Sequence, residues 1–273
     1  MYKYVIFDLD ETLGTFVELS ILWEFLQKNK NIRGQQSFNK LCELFATDYF
    51  RPGIFNALKY LMESKKKGLI KGVVLYTNNT GSLEWLKNII SFLEKKSDAV
   101  GLFTELIPGF KPHIKGKYAR RHYAKTYNEI IRCAKIEKSA KIIFFDDIYH
   151  HMMKNNNVKY IHVAPYFHMV PRETIIRKLQ NTKTGFGHID KKGIKTLNEY
   201  MYHFDIHYAP LYNSRAKACN SRVSKNDIYD PLCEFLTGES GTPRHKKSKS
   251  VKSSSKKSQK KKGSMKKKRV VYV

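Results

Sequence analysis

Four short apolar runs set the rhythm of the first 180 residues. Tyr2–Phe7, Gly72–Tyr76, Ile142–Phe145 and Lys159–Ala164 are rich in Val, Ile, Tyr and Phe and read as strands. Between them lie stretches with apolar residues at helical spacing: Phe16–Gln27, Ser37–Phe50 after a break at NIRG, and a helix that Pro52 starts and Gly68 ends, with Ile54, Leu58 and Leu61 on one face. Ser82–Glu94, Tyr123–Ala134 and Arg172–Leu179 read as further helices, whereas the Gly/Pro-punctuated stretch Ser97–Arg121 carries no clear period. Strands alternating with helices predict an α/β fold, a Rossmann-like three-layer sandwich around a mainly parallel central sheet. A site in such a sheet lies at the carboxyl ends of its strands. Beyond Gly185 the pattern weakens, although LNEYMYHF and DPLCEFL each read as a helix. The expected organisation is a core over 1–180, an extension over 181–236 and a tail over 237–273.

What ends the strands changes the picture from architecture to chemistry. Asp8, Asp10 and Thr12 follow the first, Thr77, Asn78 and Asn79 the second, and Asp146 and Asp147 the third. Residues two apart in extended chain point the same way, so Asp8 and Asp10 are expected to face one crevice. Two carboxylates ~4 Å apart repel by roughly 4 kcal/mol at an effective dielectric of 20, so gathering four of them calls for a counter-charge. A divalent cation supplies it, and an all-oxygen ligand set favours Mg²⁺.

These motifs, FDLDETLG, VVLYTNN and IIFFDD, resemble the first, second and fourth motifs of the haloacid-dehalogenase-like superfamily of phosphotransferases. DLDETL together with Arg51-Pro52-Gly53 is similar to the branch that dephosphorylates the C-terminal repeat domain of RNA polymerase II, also called nuclear-LIM-interactor-interacting-factor-like. The resemblance covers residues 1–180. It implies a phosphomonoester hydrolase in which Asp8 is the nucleophile and Asp10 the general acid and base. It further implies Mg²⁺ held by Asp8, the carbonyl of Asp10 and Asp146, with Asp147 in support. Thr77, Asn78 and the motif-three lysine would bind the phosphoryl group. For that lysine the choice falls on Lys125, 21 residues before Asp146 at a helix start, over Lys111 in FKPH and Lys135. Where relatives often continue with Val-His, this chain reads Gly14-Thr15-Phe16 before two helical stretches, so residues 15–50 are expected to form a small helical cap. Ser97–Arg121 would stand in for the short β insert of relatives. Similar short proteins with DLDETLG starts occur in large DNA viruses, so the resemblance extends to virus-encoded members.

Charge and composition bear on partners. The net charge is +27, and Arg244–Arg269 alone holds 14 Lys or Arg residues and no acid, which leaves the remainder at +13. The Lys/Ser tail cannot offset its own ordering entropy and is expected to be disordered, serving as an import signal or as a salt-sensitive tether to nucleic acid or another polyanion. The basic globular part suits a phosphorylated protein substrate, a phosphate-ended nucleic acid being the alternative, and a non-catalytic binding module a third reading. Cys42, Cys133, Cys219 and Cys233 have no metal or redox spacing, and no apolar run approaches the ~18 residues that span a bilayer. A soluble, intracellular protein in the cytoplasm or nucleus, with no membrane partner, is expected. His150 and His151, and the aromatic set Tyr200, Tyr202, Phe204 and Tyr208, are weaker site residues, with polar surface and core packing as the competing readings.

Overall fold

Apolar runs become strands β1 (Lys3–Phe7), β2 (Gly72–Tyr76), β4 (Lys141–Asp146) and β5 (Val158–His162), and a further strand, β3 (Phe103–Ile107), emerges from the stretch without a clear period. The computed structural model describes residues 1–114, 116, 119–181 and 185–238, so the tail from 239 onward lies outside the described residues. The five strands form one sheet in the order β3-β2-β1-β4-β5, and every neighbouring pair is parallel. β1 and β2 lie in its middle and are almost wholly buried, which is why they read as unbroken apolar runs. β3, at one edge, carries Thr104 and Glu105 at exposed and half-exposed positions, unlike a strand buried on both faces.

The helices are α1 (Val17–Lys30), α2 (Gln35–Leu44), α3 (Ala46–Tyr49), α4 (Ile54–Lys66), α5 (Leu83–Lys96), α6 (Tyr127–Cys133), α7 (Arg172–Gln180), α8 (Lys191–His207), α9 (Ala209–Cys219) and α10 (Tyr229–Thr237). Two-residue alternation sends the strand side chains into two cores. Tyr4 and Ile6 of β1 join Val74, Phe144, Ile130 and Met153 on the face that α6 covers. Val5 and Phe7 join a much larger cluster that runs continuously through α1, α2, α4, α5 and α7–α10. Residues 15–50, read as a cap, thus share one buried cluster with the sheet, and so do the helices of the extension.

Several boundaries moved for local reasons. The 37–50 helix breaks at Phe45, whose backbone leaves the helical region, into α2 and α3. The 123–134 helix begins later, because Thr126 accepts a hydrogen bond from the Glu129 amide at 3.1 Å and caps α6 there. Lys125 therefore precedes the helix rather than starting it. α9, which the sequence pattern did not give, follows α8 after a single residue, Tyr208, with Pro210 in its first turn. Lys3 ties α10 to the beginning of the chain: its ammonium donates to the last-turn carbonyls of α10, Phe235 at 2.9 Å and Leu236 at 3.0 Å. Among the described residues no helix is long and apolar enough to cross a membrane.

Candidate active site

β1 and β4 adjoin in parallel, yet the chain runs from β1 through β2 and β3 before crossing back, so the order in which strands are added reverses between them. That is the switch point where a parallel sheet opens a crevice at its carboxyl edge. The register pairs Phe7 with Phe145, so the next residues, Asp8 just past β1 and Asp146 at the end of β4, stand side by side at the carboxyl edge. The Asp8 amide extends the ladder by donating to the Phe145 carbonyl at 2.9 Å.

Both carboxylates converge on Lys125, whose Nζ donates to Asp8 Oδ1 at 2.6 Å and to Asp146 Oδ2 at 2.7 Å. The ammonium is buried, and although burial works against its charge, Asp8 and Asp146 outweigh that and raise its pKa above the ordinary lysine value. Lys111 instead donates to the Gly81 carbonyl, and Lys135 lies near Glu105. Burial opposes the charge of Asp146 too, but His150, with Nε2 at 3.5 Å, and Lys125 hold its carboxyl below the usual range. Burial pushes Asp8 up, with Lys125 opposing and Asp146 adding to the rise.

Asp147 turns away from the lysine and is fixed by Thr12. Thr12 Oγ1 donates to Asp147 Oδ1 at 3.1 Å and accepts from the Asp147 amide at 3.0 Å. Burial, then the charges of Asp8 and Asp146, push the Asp147 carboxyl up to about 7. Oxygens of Asp8, Asp146 and Asp147 all lie within 4.8 Å of one another. One ammonium pairs with two of these three carboxylates, and this surplus of negative charge on an all-oxygen donor set fits a hard divalent cation such as Mg²⁺.

Asp10 lies outside that triad. Its Oδ2 accepts from Asn79 Nδ2 at 2.8 Å, and burial pushes its carboxyl up to about 6 against that hydrogen bond. Glu11 follows with a left-handed backbone, φ 57°, and its carboxyl is pushed up to about 8 by burial and by the charges of Asp10 and Asp147. From β2, Thr77 is buried and its Oγ1 accepts from the Asn79 amide at 3.0 Å. Asn78 turns its amide oxygen to Arg120 at 2.8 Å, so Asn79 is the asparagine that meets an acid of the loop.

Arg120 and Arg51 are the side chains that sequence reasoning did not single out as parts of the site. Arg120 Nη1 also donates to the Thr77 carbonyl at 2.8 Å, its guanidinium lies 4.7 Å from the Tyr76 ring, and Glu129 is its counter-ion at 3.4 Å. Arg51 is wholly buried and donates to the carbonyls of Glu11, Thr12 and Ala164. Arg51 stood out only as part of the Arg51-Pro52-Gly53 motif and Arg120 not at all, since their partners are up to 176 residues away. His151 is exposed in a short turn, and Phe204 and Tyr200 pack on Tyr208 and Phe25, while Tyr202 is exposed. Comparison of the chain with protein-family models, with curated proteins and with solved structures gave no match.

Proposed function

We propose that this chain is a phosphomonoester hydrolase that works through an aspartyl phosphate on Asp8. The observation that carries the reading is the buried Lys125 ammonium bridging Asp8 and Asp146 at the switch point, with Asp10 poised two residues on at a pKa of about 6. The triad of Asp8, Asp146 and Asp147, with the Asp10 carbonyl, would hold Mg²⁺, which when bound supplies positive charge beside the transferring group.

The residues divide the reaction between them. An Asp8 oxygen bonds to phosphorus as the bond to the substrate's alkoxide breaks, and protonated Asp10 gives that alkoxide its proton. A carboxyl titrating near 6 holds a proton often enough at neutral pH to act as acid and then, ionised, as base. In the second half Asp10 takes a proton from water as the water oxygen bonds to phosphorus, releasing inorganic phosphate and the Asp8 carboxylate. Lys125 has a third N–H for a phosphoryl oxygen, and Thr77, whose oxygen is engaged by the Asn79 amide, has its hydroxyl hydrogen for another. Such preorganised donors are usually the largest part of the acceleration.

The substrate class we assign is a phosphoserine or phosphothreonine protein. Support comes from the loop after Asp147, which exposes Ile148, Tyr149 and Met152 beside the crevice, an apolar rim suited to polypeptide. Hydrolysis of p-nitrophenyl phosphate by wild type, Asp8→Asn and Asp10→Asn, with Mg²⁺ and with EDTA, tests the chemistry. Turnover should need metal and vanish in Asp8→Asn, and on a phosphopeptide, whose alkoxide is a poor leaving group, Asp10→Asn should lower it by about 10²–10⁴. Full activity in Asp8→Asn would rule the mechanism out. Comparing a phosphopeptide with a phosphate-ended oligonucleotide then tests the substrate class.

A further inference from the structure

We infer that the C-terminal extension is a working part of the site, with Tyr212 of α9 acting as a positioning residue that holds the loop Asp10–Gly14 in its reactive conformation. The phosphatase reading supplies what the loop does; the holding rests on contacts alone.

The loop needs holding because Glu11 sits at φ 57°. A side chain in the left-handed region costs roughly 1–2 kcal/mol, and such strain persists only where the surroundings over-determine it. Glu11 is tied at every polar group. Its amide donates to the Gly14 carbonyl at 2.7 Å, its carbonyl accepts from Arg51 Nη2 at 2.8 Å and from the Tyr166 amide at 2.9 Å, and its Oε1 accepts from the Tyr212 hydroxyl at 3.0 Å. The same hydroxyl accepts from Thr15 Oγ1 at 3.1 Å, so one tyrosine oxygen grips the loop at Glu11 and just past its far end.

Tyr212 is itself immobilised. It is buried, and its ring meets Phe167 at 5.0 Å and Phe204 at 5.7 Å, both edge-on. A second arm of the extension acts from the other side. Arg51, which takes the Glu11 and Thr12 carbonyls, has Asp227 as its counter-ion at 3.3 Å, and Asp227 is aligned by the Ser224 amide at 2.8 Å. Between the two arms the loop carries Asp10, whose carboxyl must meet the leaving group, and Thr12, which fixes Asp147. Tyr212 touches neither the phosphoryl position nor the acids of the triad, so its effect passes through Glu11 and Thr15.

The test uses the full-length chain and Tyr212→Phe, which keeps the ring packing and deletes only the hydroxyl. Misplacement by about 1 Å costs ~10²-fold in rate, so partial release of the loop should lower kcat on p-nitrophenyl phosphate by about 10-fold with KM within about two-fold. Amide exchange at Glu11–Gly14 should rise by about 10-fold, while the thermal midpoint falls by only about 2–4 °C, the worth of one hydrogen bond in a domain of this size. Combining Tyr212→Phe with Glu11→Met should cost clearly less than the sum of the two single losses. Unchanged kcat and exchange in Tyr212→Phe would overturn the inference, and so would exchange that rises equally across the whole chain, or losses that add in the double variant. Should wild type turn over no phosphomonoester, the phosphatase reading fails, and the exchange measurement still decides whether Tyr212 holds the loop.

Discussion

Lys125 concentrates the energetics of the site in one side chain. Removing an ammonium and two carboxylates from water is costly, and the pairing offsets that cost only while all three are present. Lys125→Met should therefore destabilise the protein by about 3–5 kcal/mol, read by urea unfolding at pH 7 in EDTA. Mg²⁺, or a lower pH, should recover part of the loss, because a cation or protons can then neutralise Asp8 and Asp146; no recovery by either would count against the pairing as its origin. At this scale the acids were legible, since an apolar run that stops at aspartate is visible in one dimension. Lys125 was reachable only through spacing. The sequence reading placed Asn78 at the site and not Asn79, because which of two adjacent amides meets Asp10 depends on how the chain turns after β2, and that partner is 69 residues distant.

At the scale of elements, α4 shows how one residue joins distant parts of the chain. Gly53 precedes the helix at φ 83°, and a methyl group added there would lie 2.0 Å from the Lys225 carbonyl. Gly68, at φ 72° after the same helix, has nothing within 4 Å of such a methyl. Gly68→Ala should cost about 1 kcal/mol from backbone strain alone, whereas Gly53→Ala should cost at least about 2 kcal/mol more, in thermal unfolding of the two variants. Equal losses would mean that the 225 segment yields freely. Pro52 and Gly53 could be read as a helix start, but not the reason glycine is needed there, because Lys225 belongs to a region with weak periodicity. β3 escaped notice for a related reason: an edge strand with exposed polar positions has no apolar run to announce it.

Across the whole molecule, burial raises several acids together. Asp10 titrates at about 6, Asp147 and Glu18 at about 7 and Glu11 at about 8, all above their ordinary values near 4. Between the ordinary and the raised value the folded protein holds protons that the unfolded chain has released, so stability falls as pH rises through that window. Asp146 is shifted the other way, and its contribution is already complete above the ordinary range. In EDTA the thermal midpoint should thus decline from pH 5.5 to pH 8, and Mg²⁺ should flatten the decline by replacing the proton at Asp147. A profile insensitive to Mg²⁺ would exclude a cation at the triad.

By itself the sequence determined the class of the fold and the identity of its acids. A parallel strand buried on both faces must be apolar along its length, and its end must be marked where polar residues begin, so Asp8, Thr77 and Asp146 stand out without a structure. Only the tertiary structure decided what surrounds them. Arg51, Arg120 and Tyr212 act through hydrogen bonds to main-chain carbonyls or to side chains far away in the chain, and such contacts leave no periodic trace. The helices after residue 190 gave the weakest pattern of all, yet they share a buried cluster with the sheet and supply the side chains that grip the loop after β1, because packing in three dimensions is blind to distance along the chain.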